Sequence, residues 1–356
     1  MKEKLIFFHL LNNYTGSPQV LRNTILAAKE MGKEVHLYTS SGEGFLSGIS
    51  GIHYHSNYYF RSRFRILTLF TFFISQLVLA FRLLKYWRNS NVFYINTILP
   101  FSAIWMGKLL GKKVFVHVHE FEISPKLLSD FLFLTVRLCA DEIIVVSKFL
   151  AQNPALVPRK SRVIYNCVKK EIEDQAFTKE EVHDDFRVLM LASLRPYKGI
   201  YEFLQLASEL PGIGFDLILS DSEEEVDRWK SSQKVPENLT IYPVQQDVIP
   251  FFKNSSLVLN LAHKDKWLET FGMTILEGMN FGLPAIVPTV GGVTELVKDG
   301  VNGFLVDYSD ISTIKVLIEK LQSDIPFWRK LSLNALERSA LFSTKIFSQE
   351  IQILLK

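Results

Sequence analysis

Two glutamates, Glu269 and Glu277, lie eight positions apart around a glycine-containing turn. If a helix begins at this turn, the backbone amides of Gly272, Met273 and Thr274 have no partner inside that helix. Together with the positive end of the helix dipole, such amides form an anion site that suits a diphosphate. A carboxylate repels phosphate but accepts hydrogen bonds from sugar hydroxyls. One glutamate before the turn and one after it therefore indicate a sugar-nucleotide site, with Glu269 on the sugar and Glu277 on the ribose.

A structural interpretation explains part of the same pattern. The residues after the turn have helical periodicity up to Asn280, and a Gly-Leu-Pro sequence then precedes a short apolar run that predicts a buried strand. If the helix begins near Thr274, this residue and Glu277 have the spacing of a capping box. That interpretation gives Glu269 no role, and both interpretations stay open at this point.

Short β-branched and aromatic runs alternate with helical patterns along the chain, which predicts parallel sheets covered by helices on both faces. In the N-terminal half, strands are predicted at 5–10, 34–39, 92–95, 114–119, 142–146 and 163–165, and helices at 18–31 and 101–110. In the C-terminal half, strands are predicted at 187–191, 214–219, 239–242, 257–261, 285–288 and 303–306, and helices at 199–209 and 223–232. Ligands of such sheets bind beyond the carboxyl ends of the strands, so a cleft between two facing sheets is the expected site.

The length of 356 residues and a change in composition indicate two domains. A polar, charged stretch predicts a linker at 171–185, between an N-terminal domain at 1–170 and a C-terminal domain at 186–340. Residues 310–356 are helical in pattern, and the last helix, at 341–356, is expected to cross back to the N-terminal domain. The apolar N-terminal run is predicted to be a first strand rather than a signal peptide.

The net charge of +3 is unevenly distributed. Residues 1–150 contain 17 Lys and Arg against 9 Asp and Glu, and residues 44–119 contain no acidic residue. This predicts a cationic surface. No nucleic-acid-binding motif accompanies it, so an anionic membrane is the expected partner and nucleic acid is not. Cys139 and Cys167 lack metal-ligand spacing and are predicted to be buried, reduced thiols.

The segment from Glu269 to Val306 resembles the E-x7-E signature of retaining glycosyltransferases of family 4. The likeness extends to the Gly-x-Pro sequence before the 285–288 run, to "GGVTEL" at 291–296 and to "DGVNGFLV" at 299–306. The resemblance implies a GT-B fold, with two doubly wound Rossmann-like domains facing a central cleft and C-terminal helices. It also implies a nucleotide-activated sugar as the donor substrate, and catalysis with no cofactor and no metal.

Further residues enter through the same resemblance. The segment 189–210 is similar to the strand, loop and helix that open the family's C-terminal domain, where an Arg and a Lys contact the donor diphosphate. Lys198 lies at the Lys position; Ser193 stands at the usual Arg position, and Arg195 is expected to substitute. The segment "YPVQQD" at 242–247, with Val244, corresponds to the region that binds the base. Two solvated charges at a helix start would be the structural alternative for Arg195 and Lys198.

In the N-terminal half the resemblance is weaker. The loop "NNYTGSP" has Gly16 where the family often has two glycines near the donor phosphates, and "VIYNCV" at 163–168 is similar to the end of the family's N-terminal domain. The segment "VFVHVHEFE" at 114–122 places His117 and His119 on one face of a strand. The resemblance favours His119 as a residue close to the donor sugar. A core or cap histidine, and a metal site formed by the His-x-His-Glu group, are the alternatives.

Residues 58–88 are basic and aromatic, with an uncharged run of 16 residues at 66–81. A spanning helix needs roughly 20 apolar residues, so an interfacial helix with arginines and lysines at both ends is the expected structure. A buried crossover helix and a membrane-spanning helix are the alternatives. Attachment to the cytoplasmic face of a membrane would make the acceptor a lipid-linked or envelope glycan, such as lipopolysaccharide.

The sequence therefore predicts a cytoplasmic, peripheral retaining glycosyltransferase of the hexosyltransferase type. Glu269, His119, Lys198 and Arg195 are expected to act in catalysis, and Gly16, Gly272, Met273, Thr274, Glu277 and Val244 in donor binding. A sugar-nucleotide 2-epimerase and a non-catalytic sugar-binding protein of the same fold are the alternatives.

Overall fold

A computed structural model describes residues 4–59, 64–88, 91–176 and 185–356. The chain divides into two compact units. The first comprises Met1–Cys167 together with Thr344–Lys356, and the second comprises Val168–Ser343. Part of the predicted linker, 177–184, lies outside the described residues. Residues before this gap form a short helix, Lys170–Glu173, and group with the second unit.

The first unit is built on a parallel seven-stranded sheet with the order β3-β2-β1-β4-β5-β6-β7. Its strands are β1 (Lys4–Phe8), β2 (Glu34–Thr39), β3 (His53–Ser56), β4 (Asn91–Asn96), β5 (Lys113–Val118), β6 (Glu142–Val145) and β7 (Ser161–Val163). Its helices are α1 (Gly16–Glu30), α2 (Arg65–Leu83), α3 (Phe101–Leu109), α4 (Lys126–Cys139) and α5 (Lys148–Ala151). The central strands are apolar on both sides because helices cover both faces of a parallel sheet.

Three elements of this unit were not predicted, namely β3, α4 and the short helix α5. β3 has the sequence His-Tyr-His-Ser, which lacks an apolar face, and it forms the exposed edge of the sheet. α4 begins directly after Pro125 and is amphipathic. The seventh strand lies at Ser161–Val163, two residues before the predicted position. Cys139 and Cys167 are free thiols, and the prediction that both are buried is wrong for Cys139, which is partly exposed.

The last helix, α13 (Thr344–Leu355), belongs to the first unit. Its apolar residues Phe347, Ile351 and Leu354 share one core with Leu5 and Ile25. Gln352 Nε2 also donates to the carbonyl oxygen of Ala27 at the end of α1 (3.4 Å).

The second unit contains a parallel six-stranded sheet with the order β10-β9-β8-β11-β12-β13. Its strands are β8 (Arg187–Ala192), β9 (Gly214–Leu219), β10 (Leu239–Tyr242), β11 (Leu257–Leu259), β12 (Ala285–Val287) and β13 (Gly303–Leu305). Its helices are α6 (Lys170–Glu173), α7 (Ile200–Glu209), α8 (Glu223–Lys230), α9 (Ile249–Asn254), α10 (Met273–Asn280), α11 (Ile311–Ser323) and α12 (Ile325–Ser339). The prediction of doubly wound parallel sheets is confirmed in both units.

Each sheet has one point at which the strand order reverses. In the first sheet β1 is flanked by β2 on one side and by β4 on the other, and in the second β8 is flanked by β9 and β11. At this point two neighbouring strands, β1 and β4 in the first sheet and β8 and β11 in the second, send their following connections in opposite directions along the sheet. The divergence opens a crevice beyond the carboxyl ends of these strands. Loops after β1 and β4, and after β8 and β11, are therefore the places where a ligand is expected.

Candidate active site

Lys198 and Glu269 meet at the strand reversal of the second sheet. Lys198 lies in the loop after β8, and Glu269 lies in the loop after β11. Their Nζ and Oε2 atoms are 3.5 Å apart, and the two side chains are 19% and 22% exposed. The folded chain thus brings together a cation and a carboxylate that are separated by 71 positions in the sequence, within reach of solvent and of a ligand.

Two aromatic residues that sequence reasoning missed position this lysine. Lys198 Nζ lies 4.2 Å from the centre of the Trp267 ring, which is a cation–π distance. The Tyr197 and Trp267 rings stack with their centroids 5.7 Å apart. The main chain adds a further link, because the amide of His263 donates to the carbonyl oxygen of Tyr197 (2.9 Å). The two loops therefore form one packed unit around the ammonium group.

Gly199 shows why the chain comes so close at this point. Its φ of +82° lies in the left-handed region, and a Cβ atom there would be 2.3 Å from the carbonyl oxygen of Leu261. Only glycine fits such a position without displacing the backbone. Gly199 thereby allows the loop after β8 to rest on the loop after β11.

A glycine loop holds the main chain of Glu269 from the other side. The amide of Gly292 donates to the Glu269 carbonyl oxygen at 2.7 Å. Gly291 has a φ of +116°, and a Cβ atom on it would lie 2.7 Å from that same oxygen. The "GGVTEL" segment, recognised in the sequence only as a resemblance, therefore fixes the backbone from which the Glu269 carboxylate projects.

The helix α10 begins at Gly272, whose φ is +100° and which provides no side-chain cap. Within the described parts of the chain, the amides of Gly272, Met273 and Thr274 have no hydrogen-bond acceptor. The capping-box alternative is wrong, because Thr274 is the second residue of the helix and its side chain caps nothing. Glu277 lies one turn further along and is 7% exposed.

Arg195 and Val244 lie on neighbouring loops that Asp221 joins. The Oδ2 atom of Asp221 accepts from the Leu194 amide (2.5 Å), and its carbonyl oxygen accepts from the Val244 amide (3.1 Å). The Arg195 side chain is exposed and has no hydrogen bond or ion pair with any residue that the structure describes. Val244 has an exposed side chain, and its amide is occupied by the Asp221 carbonyl oxygen. Asp221 was not predicted.

Asn96 links His119 to the start of α1 at the strand reversal of the first sheet. Its Oδ1 atom is 2.9 Å from His119 Nε2, and its Nδ2 atom donates to the carbonyl oxygen of Ser17 (3.0 Å), next to Gly16. His9 Nδ1 is 3.1 Å from the same Nδ2 atom. Both predicted residues of this unit, Gly16 and His119, therefore lie around one buried asparagine that sequence reasoning missed.

The histidines of this cluster are held in the neutral state. Burial lowers the pKa of His9 to about 4, against the opposing effect of its hydrogen bond with the Asn96 carbonyl. Burial, with smaller contributions from the charges of His117 and His9, lowers the pKa of His119 well below its usual value. A neutral His119 whose Nε2–H donates to Asn96 Oδ1 keeps an acceptor lone pair on Nδ1.

His117 and Glu120 flank His119 and differ from it in environment. His117 is fully buried, its Nδ1 atom is 2.8 Å from the Tyr94 hydroxyl, and burial lowers its pKa to about 3. The ring centroids of His117 and His119 are 4.5 Å apart, in agreement with the prediction that both side chains lie on one face of the strand. Burial raises the pKa of Glu120 to about 7, although its Oε2 atom accepts from the amides of His119 (3.1 Å) and Ile98 (3.4 Å).

This His-x-His-Glu segment does not gather its side chains as metal ligands. Among the described residues, the group with metal-ligand geometry is Glu34, His36 and His53, on β2 and β3.

Both halves of the chain match glycosyltransferase family models. Residues 171–338 match "Glycosyl transferases group 1", and residues 14–172 match "Glycosyltransferase Family 4". By fold and by both of these matches, the chain belongs to the GT-B class of glycosyltransferases.

Known proteins are similar to this chain in sequence or in fold. Sucrose synthase of Denitrovibrio acetiphilus is 45% identical over 74 residues, which is 20% of this chain and 9% of that enzyme. The chain thus aligns with about a tenth of the length of the curated relatives it matches. Crystal structures of Anabaena HepE with UDP-glucose (18% identity, 99% of both chains, TM-score 0.77) and of Thermosynechococcus elongatus sucrose-phosphate synthase (15% identity, 99% and 98%, TM-score 0.79) share the fold.

Proposed function

We propose that this protein transfers a sugar from a nucleoside-diphosphate sugar to a hydroxyl of a lipid-linked or envelope glycan, with retention of anomeric configuration. The observation that carries the proposal is the Lys198–Glu269 pair, 3.5 Å apart, beside the open amino end of α10. The UDP-glucose in the Anabaena HepE crystal structure and the sucrose synthase relatives support a donor of this class.

The donor roles follow from charge. The amides of Gly272, Met273 and Thr274 and the Lys198 ammonium bind the diphosphate, and the exposed Arg195 folds onto it from the same loop. The diphosphate draws Lys198 away from Glu269, because it carries more negative charge than a single carboxylate. Glu269, freed from the lysine, accepts hydrogen bonds from hydroxyls of the donor sugar. Glu277 accepts them from the ribose, and the base lies against the carbonyl edge of the loop at Val244.

The transfer exchanges one bond at the anomeric carbon. The bond to the donor phosphate oxygen breaks while the acceptor oxygen forms its bond on the same face of the sugar. The acceptor proton passes to the departing phosphate oxygen. Lys198 and the α10 amides stabilise the charge that develops on the diphosphate, which is the dominant catalytic contribution in reactions of this kind. In the first unit, the segment at Gly16 and the neutral His119 serve the acceptor, and the Nδ1 lone pair of His119 can accept a hydrogen bond from an acceptor hydroxyl.

The helix α2 supports a membrane-bound acceptor, because it carries apolar residues on its outward face as well as on the face that packs inward. Ser75 and Gln76 are buried, and Gln76 Oε1 accepts from the amide and the hydroxyl of Ser102 on α3 (3.3 and 3.1 Å). Phe70 and Phe81, on the opposite face, are 61% and 65% exposed. Phe72, Leu79 and Leu83 are buried as well, so α2 is apolar all round and its outward face lacks the polar residues of a soluble amphipathic helix.

The exposed apolar surface continues over the two neighbouring helices. α2 packs on α3, and α3 packs on α4. Their exposed apolar side chains are Ile66, Leu67, Phe70, Phe73, Ile74, Leu77, Val78 and Phe81 on α2, Trp105 and Leu109 on α3, and Leu127, Leu134 and Leu138 on α4. We name this set the α2–α4 apolar surface. A patch of this extent marks a membrane or protein contact. The absence of acidic residues from 44 to 119 favours an anionic membrane.

Among the described residues, one segment is long and apolar enough to span a membrane by length and composition, Ile66–Tyr86, with a mean hydropathy of 1.9. A spanning role conflicts with its packing, because the Ser75–Gln76 face of α2 is bonded to α3 and α2 precedes a central strand of the same sheet. The helix therefore lies in the interface with its outer face in the lipid.

The experiment that tests the function is a thermal-shift screen of nucleoside diphosphates and nucleotide sugars, followed by transfer assays with the ligand that binds. A ligand that binds only the native state raises its melting temperature. Transfer to a lipid-linked acceptor with an α-anomeric product from an α-linked donor is the expected result. Formation of an isomerised nucleotide sugar without acceptor would show an epimerase, and binding with no turnover would show a sugar-binding protein.

A further inference from the structure

Four polar side chains line one face of the exposed edge of the first sheet. Glu34 and His36 are two positions apart on β2, and His53 and His55 are two positions apart on β3. Residues with this spacing lie on the same face of a strand, so all four project to the same side of the sheet. The parallel register pairs His36 with His53. The rings of His36 and His53 stack with their centroids 4.6 Å apart, and those of His36 and His55 lie 5.2 Å apart.

Three of these side chains already have the spacing of metal ligands. Glu34 Oε1 is 2.9 Å from His36 Nε2 and 3.8 Å from His53 Nε2, and the three ligand atoms all lie within 4.8 Å of one another. Ligands at about 2.0–2.1 Å in a tetrahedral zinc site are separated from one another by about 3.3 Å. A small rotation of the exposed His53 side chain is therefore sufficient to close three ligands around one ion. The fourth position faces solvent and can hold water.

His55 is placed to orient His36. Its Nε2 atom is 2.9 Å from His36 Nδ1, on the far side of the ring from Glu34. In the neutral tautomer that carries its single proton on Nδ1, His36 leaves the Nε2 lone pair free for an ion and donates its Nδ1–H to His55 Nε2. Metal-ligating histidines usually donate their second ring N–H in this way.

We propose that Glu34, His36 and His53 bind one divalent transition metal ion of the zinc type, with His55 as the positioning residue behind His36. Two imidazoles and one carboxylate suit Zn²⁺, whereas Ca²⁺ and Mg²⁺ prefer oxygen ligands. The ion joins β3 to β2 through side chains in addition to the backbone ladder. β3 is also held by the guanidinium of Arg82, which donates to the carbonyl oxygen of Ser56. The metal therefore stabilises the strand on which the carboxyl end of α2 rests.

Lys4 competes with the metal for the same oxygen. Its Nζ atom is 2.7 Å from Glu34 Oε1, and it is the largest cause of the lowered pKa of that carboxyl, which is about 2. A Lys4→Met variant removes this competing cation without changing any ligand. Lys108→Met is the matched control, because Lys108 pairs with Asp141 at 3.4 Å and has no histidine ligand group beside it.

The experiment is a titration of the full-length, tag-free, chelator-treated protein with Co²⁺ and with Zn²⁺. Visible absorption of bound Co²⁺ and competition with a chromophoric chelator for Zn²⁺ give the geometry and the affinity. The expected result is one ion per chain and a zinc-dependent rise in melting temperature. Affinity falls by at least about tenfold in Glu34→Gln and in His53→Ala, and by about tenfold in His55→Phe. It rises in Lys4→Met and stays unchanged in Lys108→Met.

Two results would overturn the metal site. One is the absence of saturable Zn²⁺ and Co²⁺ binding by the folded wild-type chain. The other is binding that persists unchanged in Glu34→Gln and His53→Ala. The melting temperature of each metal-free variant verifies folding, and His53 is exposed, so its replacement leaves the core intact. The glycosyltransferase assay is not a readout here, so the metal site and the proposed function stand or fall separately.

Discussion

Lys198 Nζ lies 3.5 Å from Glu269 Oε2, although one residue follows β8 and the other follows β11. The pair joins the two loops that flank the strand reversal of the second sheet, which is where open α/β sheets bind ligands. Trp267 supports the lysine from one side, and the Gly292 amide holds the glutamate backbone from the other. The contacts that hold both residues at the strand reversal are thus in place before any ligand arrives, which lowers the cost of ordering the two loops on binding.

Lys198→Met is expected to lower kcat/KM by about 10²–10³-fold, because the variant loses a cation that stabilises the departing diphosphate. Initial rates of nucleoside-diphosphate release with acceptor present measure this effect. Lys315→Met is the control. Lys315 Nζ lies 3.7 Å from Glu209 Oε2, and this ion pair joins α11 to α7, away from α10. Equal rates in wild type and Lys198→Met would remove Lys198 from the catalytic group.

The two glutamates are expected to separate in their effects. Glu269→Ala should abolish most transfer while the free nucleoside diphosphate still binds, because its partner is the donor sugar. Glu277→Gln should weaken binding of the free nucleotide itself, because its partner is the ribose. Calorimetric titrations with nucleotide and with nucleotide sugar distinguish the two. Glu223→Gln, on the exposed first turn of α8, is the control. A full transfer rate in Glu269→Ala would contradict the assignment.

Gly291→Ala is expected to displace Glu269 and to destabilise the second unit by about 1–3 kcal/mol, because a side chain at a φ of +116° is strained. Its Cβ atom would also meet the Glu269 carbonyl oxygen. The melting temperature and the turnover rate should both fall. Gly212→Ala is the matched control, since φ at Gly212 is not positive and a Cβ atom there meets nothing within 4 Å. An unchanged turnover in Gly291→Ala would show that this loop does not fix Glu269.

The sequence predicted the parts of this site that depend on local signals. Gly272 and the two glutamates lie within one loop and helix, and Lys198 lies next to a strand end. Asn96, Asp221 and Trp267 were missed because their roles depend on contacts between loops far apart in the chain. An isolated asparagine or aspartate after a strand carries no local signal of the histidine or amide that it contacts.

Two features of the first unit could not be predicted, and the reasons are similar. β3 was missed because its four residues show no apolar alternation, and pairing with β2 makes it a strand. The face of α2 that packs inward could not be chosen from periodicity, since apolar residues occur all around it. The few polar residues turn inward because Ser102 offers Gln76 two hydrogen-bond donors.

The first unit is expected to lose stability as the pH falls from about 6.5 towards 4.5. Folding lowers the pKa of His9 to about 4 and that of His117 to about 3, so their contribution is present above 6.5 and is lost on acidification. Glu120 acts in the opposite sense. Its pKa is raised from 4.5 to about 7, so its contribution is present below 4.5 and is lost as the pH rises through 7.

The lowered pKa values of His9, His117 and His119 outweigh the raised pKa of one glutamate, and Glu120→Gln should therefore steepen the loss of stability on acidification. Melting temperatures between pH 4.5 and 8 measure this, with Glu122→Gln, an exposed neighbour, as the control. Parallel pH profiles for wild type and Glu120→Gln would show that Glu120 does not titrate as a buried group.

The α2–α4 apolar surface is expected to bind anionic vesicles. A Phe70→Ser, Leu77→Ser, Phe81→Ser variant should lose flotation with phosphatidylglycerol-containing vesicles while it keeps the wild-type melting temperature, because these side chains are exposed in the folded chain. Burial of apolar area gives about 25 cal/mol per Å², so three side chains of this size carry a large share of the binding energy.

The control variant is Val316→Ser, Ile353→Ser, which removes exposed apolar side chains from other helices. Binding to phosphatidylcholine alone should be weaker, since the basic residues at the end of α2 contribute about 1 kcal/mol each near an anionic surface. Flotation of the triple variant at the wild-type level would show that this surface does not contact lipid, and turnover of a soluble acceptor analogue by the same variant would show that the transfer site does not depend on it.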